Sequence, residues 1–269
     1  FLTNVSGTLY FRASNGTNGS ELWKSDGTES GTVQVKDILV GSAGSTLSNL
    51  TNVGGILYFT ASNSTNGTEL WRSDGTESGT VLVKDIFAGS SSSNPNNLTN
   101  WNGVLYFAAT DATNGSELWK SDGTESGTVR VKDIFDGSGS SNPQSLTEFG
   151  GMLYFSAIDA SINRELWKSD GTDAGTIRVK DIRLGAFGSD PRFLINLAGT
   201  LYFSAIDASG RGLWKSDGSE SGTIRIKENQ AGWIASDPAY LTNLGGMLYF
   251  RARDVGNNTE LWKSDGTDF

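Results

Sequence analysis

Short runs of alternating apolar and polar residues, separated by Gly-rich turns, recur along the whole chain. In the third unit they predict strands at Leu98–Trp101, Val104–Ala109, Glu117–Ser121 and Thr128–Ile134. Successive side chains of a strand point to opposite faces, and these strands carry large apolar residues on both faces. The pattern therefore predicts a four-stranded antiparallel meander that must be covered on both sides.

The same unit returns with a nearly constant period of 48 or 47 residues. It is marked by a Trp in the third strand, at Trp23, Trp71, Trp119, Trp167, Trp214 and Trp262. Repeats of 40 to 50 residues share one core, and stacking four-stranded sheets around an axis covers both faces of each sheet. We therefore predict an all-β fold, a β-propeller of four-stranded antiparallel blades.

The copies of the unit predict one propeller domain over residues 1–269. Its six repeats are 1–46, 47–94, 95–142, 143–190, 191–237 and 238–269. The first three strands occur six times and the fourth only five times, so the last blade is predicted to lack its outer strand. A seven-bladed ring completed by further sequence is the alternative.

The repeated motif also resembles a known family. The string Glu-Leu-Trp-Lys-Ser-Asp-Gly-Thr at Glu21–Thr28, followed by Gly-Thr and Val-Lys-Asp-Ile, is similar to the ELWxxDGT repeat of large exported bacterial proteins. The strand order also resembles kelch-type blades. The resemblance implies a propeller-like protein that is secreted or attached to the cell surface. It implies no defined activity and no catalytic residues.

Composition narrows the functions that the chain can perform. The net charge is −9, which argues against nucleic acid and anionic membranes as partners. The chain has no His and no Cys, so it contains neither a Ser-His-Asp triad nor a thiolate nucleophile. No apolar run is long enough to span a membrane, and no signal peptide is present.

Three sets of repeated polar residues are candidates for chemistry. Asp-Gly-Thr turns, with Asp-Gly-Ser in the fifth unit, could bind calcium through carboxylate and backbone oxygens, or the Asp could cap its own turn. These Asp residues are Asp26, Asp74, Asp122, Asp170, Asp217 and Asp265. A Glu precedes Leu-Trp in every unit except the fifth, where Gly212 replaces it. Paired carboxylates perform glycosidase chemistry, but equivalent copies form no special pair, and we predict no enzyme activity and no cofactor.

Two further repeated residues are given structural roles. An Asn on the first strand, as at Asn100, is expected to line a water-filled central channel. A Lys on the fourth strand, as at Lys84, is expected to stand at an outer edge and discourage association between sheets.

The loops that vary between repeats are predicted to bind a ligand. Loops between the second and third strands and between units emerge on the same face, and rigid scaffolds present binding residues on such loops. The fifth unit departs most from the repeat. The predicted ligand-binding residues are Trp233, Phe187, Arg192, Arg211 and Arg164.

These observations predict a non-catalytic binding or adhesion module of a secreted or cell-surface protein, with a glycan or protein as its ligand. One alternative is a structural repeat subunit or spacer that associates with itself or with neighbouring domains. The second alternative is an enzyme similar to glycosidases or sialidases.

Overall fold

The structure is a computed structural model, and it describes residues 2–161, 163–185, 187–226, 236–254 and 256–265. This part of the chain contains β-strands and no helix, and so no helix that could cross a membrane. The strands form six antiparallel sheets, each a meander of consecutive strands. They are divided between two compact units, Phe1–Asn142 and Pro143–Phe269.

The first unit contains three sheets. Sheet 1 consists of β1 (Leu2–Val5), β2 (Thr8–Ser14), β3 (Ser20–Ser25) and β4 (Val33–Lys36). Sheet 2 consists of β5 (Ser48–Val53), β6 (Ile56–Asn63), β7 (Gly67–Ser73) and β8 (Val81–Lys84). Sheet 3 consists of β9 (Asn96–Trp101), β10 (Val104–Asp111), β11 (Gly115–Ser121) and β12 (Val129–Lys132).

The second unit also contains three sheets. Sheet 4 consists of β13 (Gln144–Phe149), β14 (Met152–Ile158), β15 (Arg164–Ser169) and β16 (Ile177–Lys180). Sheet 5 consists of β17 (Arg192–Leu197), β18 (Thr200–Asp207), β19 (Gly210–Ser216) and β20 (Ile224–Arg225). Sheet 6 consists of β21 (Ser236–Leu244), β22 (Met247–Arg253) and β23 (Thr259–Ser264).

The predicted fold class is confirmed. The protein is all-β, and its six sheets of four antiparallel strands, with three in the last, are those of a β-propeller. One detail of the prediction is wrong. The segment Thr110–Ser116 was expected to be a seven-residue loop, but β10 and β11 stay paired as far as Asp111 and Gly115. The Asp111 carboxylate accepts the N–H groups of Thr113 and Asn114, which closes a tight turn.

The apolar core lies between successive sheets of a unit. Trp71 of sheet 2 packs with Tyr10 and Leu22 of sheet 1, and Trp119 packs in the same way against sheet 2. Trp214 joins the core between sheets 4 and 5. The Trp of the third strand in sheets 2, 3 and 5 therefore covers the preceding sheet of its unit, because each sheet has two apolar faces that need covering.

Polar contacts join the same pairs of sheets at the Asp-Gly-Thr turns. The Tyr10 hydroxyl lies where a Cβ at Gly75 would stand, and Gly75 also has a φ of +89°, so both sterics and backbone conformation require glycine there. Lys24 Nζ donates to the Gly75 carbonyl at 2.8 Å. Lys84 Nζ donates to the Thr128 carbonyl at 2.9 Å. The Lys therefore stands on the edge strand of sheet 2, as expected, and also bonds to the next sheet; a role in discouraging association stays a prediction.

A buried carboxylate fixes the connection that leaves each of sheets 1 to 4. Glu117, the Glu of the repeated motif in sheet 3, is fully buried. Its carboxylate oxygens accept the N–H groups of Ile134 and Ser141 at 2.9 and 3.0 Å, and they accept the Ser141 hydroxyl at 2.6 Å. The motif glutamates of sheets 1, 2 and 4 are equally buried and accept the corresponding amides; they are Glu21, Glu69 and Glu165. A backbone segment that leaves the sheet thereby keeps its N–H groups hydrogen-bonded.

Removing this carboxylate should destabilise the fold. We expect Glu117→Ala to lower the free energy of unfolding by about 3 kcal/mol, because two buried N–H groups and a hydroxyl lose their acceptor. Glu125→Ala, in an exposed turn of the same sheet, is the matched control, and it should change the free energy of unfolding by less than about 0.5 kcal/mol. Urea denaturation measures both, and equal midpoints for the two variants would contradict the role of Glu117.

The same carboxylates should make stability depend on pH. Burial raises the pKa of Glu21, Glu69, Glu117 and Glu165, although their hydrogen bonds oppose the shift. Between the ordinary Glu pKa of about 4.3 and the raised native pKa, these carboxyl groups are protonated in the native state and ionised in the unfolded chain. The free energy of unfolding therefore falls as the pH rises through this range.

The aspartates of the turns act in the other direction and at lower pH. Hydrogen bonds from Thr28 lower the pKa of Asp26, so the stability from such groups is lost only as the pH falls below about 4. We therefore expect the urea midpoint to decline from about pH 4.5 toward neutrality. Glu117→Gln should flatten that decline relative to Glu125→Gln, and an unchanged slope would refute the raised pKa.

Candidate ligand site on the first strands of sheets 5 and 6

The Asp residues of the repeated turns are engaged in their own turns. Asp26 Oδ1 accepts the Thr28 N–H at 2.9 Å and the Thr28 hydroxyl at 2.7 Å, and these bonds lower the pKa of Asp26. The same pair of bonds forms at Asp74, Asp122, Asp170 and Asp217. Within the described residues, no three acidic side chains gather as a metal site, and calcium binding at these turns or at Asp265 stays a prediction.

The Asn residues of the first strands also hold turns. Asn100 Oδ1 accepts the Gly103 N–H at 3.1 Å, and Asn4, Asn52 and Asn243 accept the equivalent Gly amides. Glu148 performs the same task, with its Oε1 3.1 Å from the Gly151 nitrogen. These first-strand residues, Glu148 included, therefore cap the turns to the second strands, and their expected position along a central channel stays a prediction.

A β-bulge in the first strand of the sheets turns one side chain out of the pleat. In sheet 3 the register between β9 and β10 shifts between Tyr106 and Ala108. The bulge contains a residue in the left-handed region, with φ between 55° and 57°, which we call the bulge residue; it is Asn49, Asn97, Ser145, Phe193 and Tyr240 in sheets 2 to 6. Bulges re-aim side chains next to functional sites.

The bulge residues of the first unit are polar and line an open recess. It has a volume of ≈ 340 Å³ and lies along β1, β5 and β9, with Asn49 and Asn97 in its wall. Asn is one of the few non-Gly residues that adopt a left-handed backbone readily. The polar bulge residues therefore satisfy the local backbone without strain.

The bulge residues of sheets 5 and 6 are aromatic. Phe193 and Tyr240 hold φ at 56°, a conformation unfavourable for bulky side chains, and their ring centroids are 5.2 Å apart. Tyr240 is 66% exposed, so burial of its ring does not account for the strain. Strained backbone of this kind is concentrated at functional sites. Aligning the repeats shows Phe193 and Tyr240 at the positions of Asn49 and Asn97, but this difference points to a site only once the bulge is known.

Three of the predicted binding residues meet beside this aromatic pair. Arg211 Nη2 and Arg192 Nε lie 2.6 and 2.8 Å from Asp190 Oδ2. The Arg164 carbonyl accepts the Asp190 N–H at 3.0 Å, and the Arg164 guanidinium donates to the Ser156 carbonyl and hydroxyl. Burial lowers the pKa of Arg164, which Asp190 opposes.

A second carboxylate continues the cluster onto sheet 6. Asp237 lies 3.9 Å from Arg211 Nε through Oδ1 and 3.9 Å from Arg251 Nη2 through Oδ2. The Arg251 guanidinium also stands over the Tyr240 ring, 5.4 Å from its centroid. We call Arg164, Asp190, Arg192, Arg211, Asp237 and Arg251 the arginine cluster. Its four cations and two anions give a local positive charge in an acidic chain.

The other two predicted ligand-binding residues are Phe187 and Trp233. Phe187 is exposed and its ring contacts the Arg183 guanidinium, 4.6 Å from the ring centroid. Trp233 falls outside the described residues, as does the end of the predicted fourth strand of its unit. Sequence reasoning missed Asp190, Asp237, Phe193, Tyr240 and Arg251.

Comparison with known proteins finds the fold in hydrolytic enzymes. Puromycin hydrolase matches over 97% of this chain and 42% of its own, with 14% identity and a TM-score of 0.55. A mutant of the same enzyme complexed with PGG gives 15% identity and a TM-score of 0.54 over the same shares. A prolyl endopeptidase, from a study of inter-domain dynamics in catalysis and specificity, gives 12% identity and a TM-score of 0.56 over 96% of this chain and 40% of its own.

These similarities at such low identity establish the fold, and the chain spans about two fifths of each neighbour. No family model and no curated protein matches the sequence, so the resemblance to the ELWxxDGT repeat stays a prediction. The expected function is corrected. The structures reported above are propeller-containing peptidases, which contradicts the expected non-catalytic adhesion module that presents loops to a glycan or protein. They also give no support to a spacer or a glycosidase.

The strained aromatic bulge residues can be tested by exchanging them with their polar equivalents. Tyr240→Asn should raise the free energy of unfolding by about 0.5–1 kcal/mol, because Asn adopts the left-handed backbone at lower cost and the ring is mostly exposed. The reciprocal Asn97→Tyr should lower it by about 1 kcal/mol. Thermal and urea unfolding measure both variants, and a Tyr240→Asn protein less stable than the wild type would assign Tyr240 to packing instead.

Proposed function

We propose that this chain is the propeller part of a peptidase system, and that it positions peptide substrates for a hydrolytic domain. The observation that carries the proposal is the match of nearly the whole chain to the propellers of puromycin hydrolase and prolyl endopeptidase. In the study of the prolyl endopeptidases, inter-domain dynamics have a role in catalysis and specificity, which a propeller beside a catalytic domain would supply here as well.

The side chains of the propeller support a positioning role rather than a catalytic one. The motif glutamates of sheets 1 to 4 are buried acceptors of backbone amides, and the motif aspartates of sheets 1 to 5 cap turns. The sequence contains no His to serve as the base of a Ser-His-Asp triad. Hydrolysis would therefore use groups of another domain, and the propeller would contribute the arginine cluster and the aromatic bulge residues.

The proposal is tested by comparing the recombinant 269-residue chain with the native protein isolated from its source by antibodies against this chain. We expect the native preparation to hydrolyse fluorogenic peptides and to react with a fluorophosphonate, which labels active serine hydrolases. The recombinant chain alone should do neither.

Two outcomes would contradict this proposal. A native preparation without peptide hydrolysis and without labelling would remove the link to a peptidase. Hydrolysis by the recombinant chain would place the catalytic groups within the propeller. An immunoprecipitate made with antibody pre-absorbed on the recombinant chain controls for hydrolases that bind nonspecifically.

A further inference from the structure

We infer that the arginine cluster and the aromatic bulge residues of sheets 5 and 6 form one binding site for a carboxylate carried on an aromatic or large apolar group. The C-terminal residue of a peptide is the form of this ligand that we propose to test. The inference rests on the geometry of the second unit alone and does not depend on the presence of a hydrolytic domain.

The first argument is the free hydrogen-bonding capacity of two guanidinium groups. The Arg192 side chain is 58% exposed and pairs with Asp190 through Nε, and in the described part of the chain its Nη1 and Nη2 groups have no hydrogen-bond partner. Arg251 is 44% exposed, and its contact with Asp237 is long, at 3.9 Å. A guanidinium whose terminal N–H groups face solvent is suited to bidentate recognition of a carboxylate.

The second argument is that the cluster is held in place before any ligand arrives. Arg211 has a side chain only 14% exposed, and it donates to the Asp190 carbonyl and carboxylate and to the Ser204 hydroxyl. Asp190 in turn holds Nε of Arg192. Fixing the guanidinium beforehand reduces the entropy that ligand binding would otherwise cost.

The third argument is the apolar surface beside the cations. The Tyr240 ring lies beside the Phe193 ring, and the Arg251 guanidinium also stands over it. A ring or large apolar side chain of the ligand can cover the exposed part of Tyr240 while its carboxylate reaches Arg192 or Arg251. The backbone strain at both aromatic residues is then the cost of presenting these rings at the bulge.

The fourth argument comes from the repeats themselves. Sheets 2 and 3 have Thr46 and Asn94 where sheets 5 and 6 have Asp190 and Asp237, and all four positions have a left-handed backbone. The bulge residues change from Asn to aromatic in the same two sheets. The backbone is therefore the same in both units, and the charged and aromatic side chains are an addition that the fold does not require.

Isothermal titration calorimetry of the recombinant chain tests the inference with N-acetyl-phenylalanine as the probe. We expect saturable binding that weakens at least about 10-fold when the carboxylate is replaced by the amide, because the bidentate contacts of an ionised group are lost. N-acetylglycine should also bind more weakly, because it has no ring to cover Tyr240. Raising the salt concentration should weaken binding of the acid and leave the amide unaffected.

Variants assign the binding to these residues. Arg192→Gln combined with Arg251→Gln should weaken binding of the acid at least about 10-fold. The matched control combines Arg130→Gln with Arg178→Gln. These two arginines pair with Asp111 and Asp159 and lie outside sheets 5 and 6, so the control variant should bind as the wild type does. Thermal unfolding confirms that both double variants are folded. Tyr240→Asn should weaken the acid and the amide by the same factor.

Three results would overturn the inference. They are the absence of saturable binding up to about 10 mM acid, equal affinities for the acid and its amide, and unchanged binding by the folded Arg192→Gln/Arg251→Gln variant. The experiment contains no hydrolase. It can therefore succeed when the peptidase proposal fails, and fail when that proposal succeeds.

Discussion

The fold of sheets 1 to 4 depends on a carboxylate that is buried where the chain leaves the sheet. A connection between two sheets carries backbone N–H groups without a strand partner, and burying them unpaired would be costly. Glu69 accepts two of these groups, from Ile86 and Ser93, that lie 17 and 24 residues further along the chain. One side chain thus ties the third strand of a sheet to both ends of the segment that leads to the next sheet.

The other residues of the repeated motif join neighbouring sheets or close their own turn. The Trp covers the apolar face of the preceding sheet, the Lys donates to a carbonyl of the next, and the Gly leaves room for a Tyr hydroxyl from the preceding one. The Asp and Thr close their own turn. Residues that repeat are therefore used by the architecture. Function in this chain has to come from residues that depart from the repeat, and the most pronounced departures meet on sheets 5 and 6.

Much of the fold follows from the sequence because period and alternation are local signals. The spacing of Trp71 and Trp119 predicts the unit, and the alternation of Leu105, Tyr106 and Phe107 predicts sheets covered on both faces. Among the described residues the last sheet has three strands, which agrees with the prediction that it lacks its outer strand. The role of Glu117 is not predictable in this way, because its partners lie far along the chain and are backbone amides, which every residue type except Pro carries.

The candidate site is predicted less well for a related reason. The sequence indicates Arg164, Arg192 and Arg211 as departures from the repeat, and the structure brings them to Asp190. These arginines come together because the first strand of sheet 5 contains a bulge and left-handed residues at Asp190 and Phe193, and neither feature produces a periodic pattern in the sequence. Tyr240 looks like an ordinary strand residue until its φ of 56° is known. The function expected from the sequence was wrong because loop variation and one loop Trp do not specify a ligand class.

The most direct test of the role of the buried glutamates is native-state hydrogen exchange followed by NMR. The amides of Ile86, Ile134 and Ile182 lie outside the strands and donate to Glu69, Glu117 and Glu165. The account predicts that they exchange as slowly as the amides of the central strands, because opening them breaks the buried network. Exchange as fast as that of the exposed turn amides around Glu125 would contradict the claim that the carboxylates hold these connections.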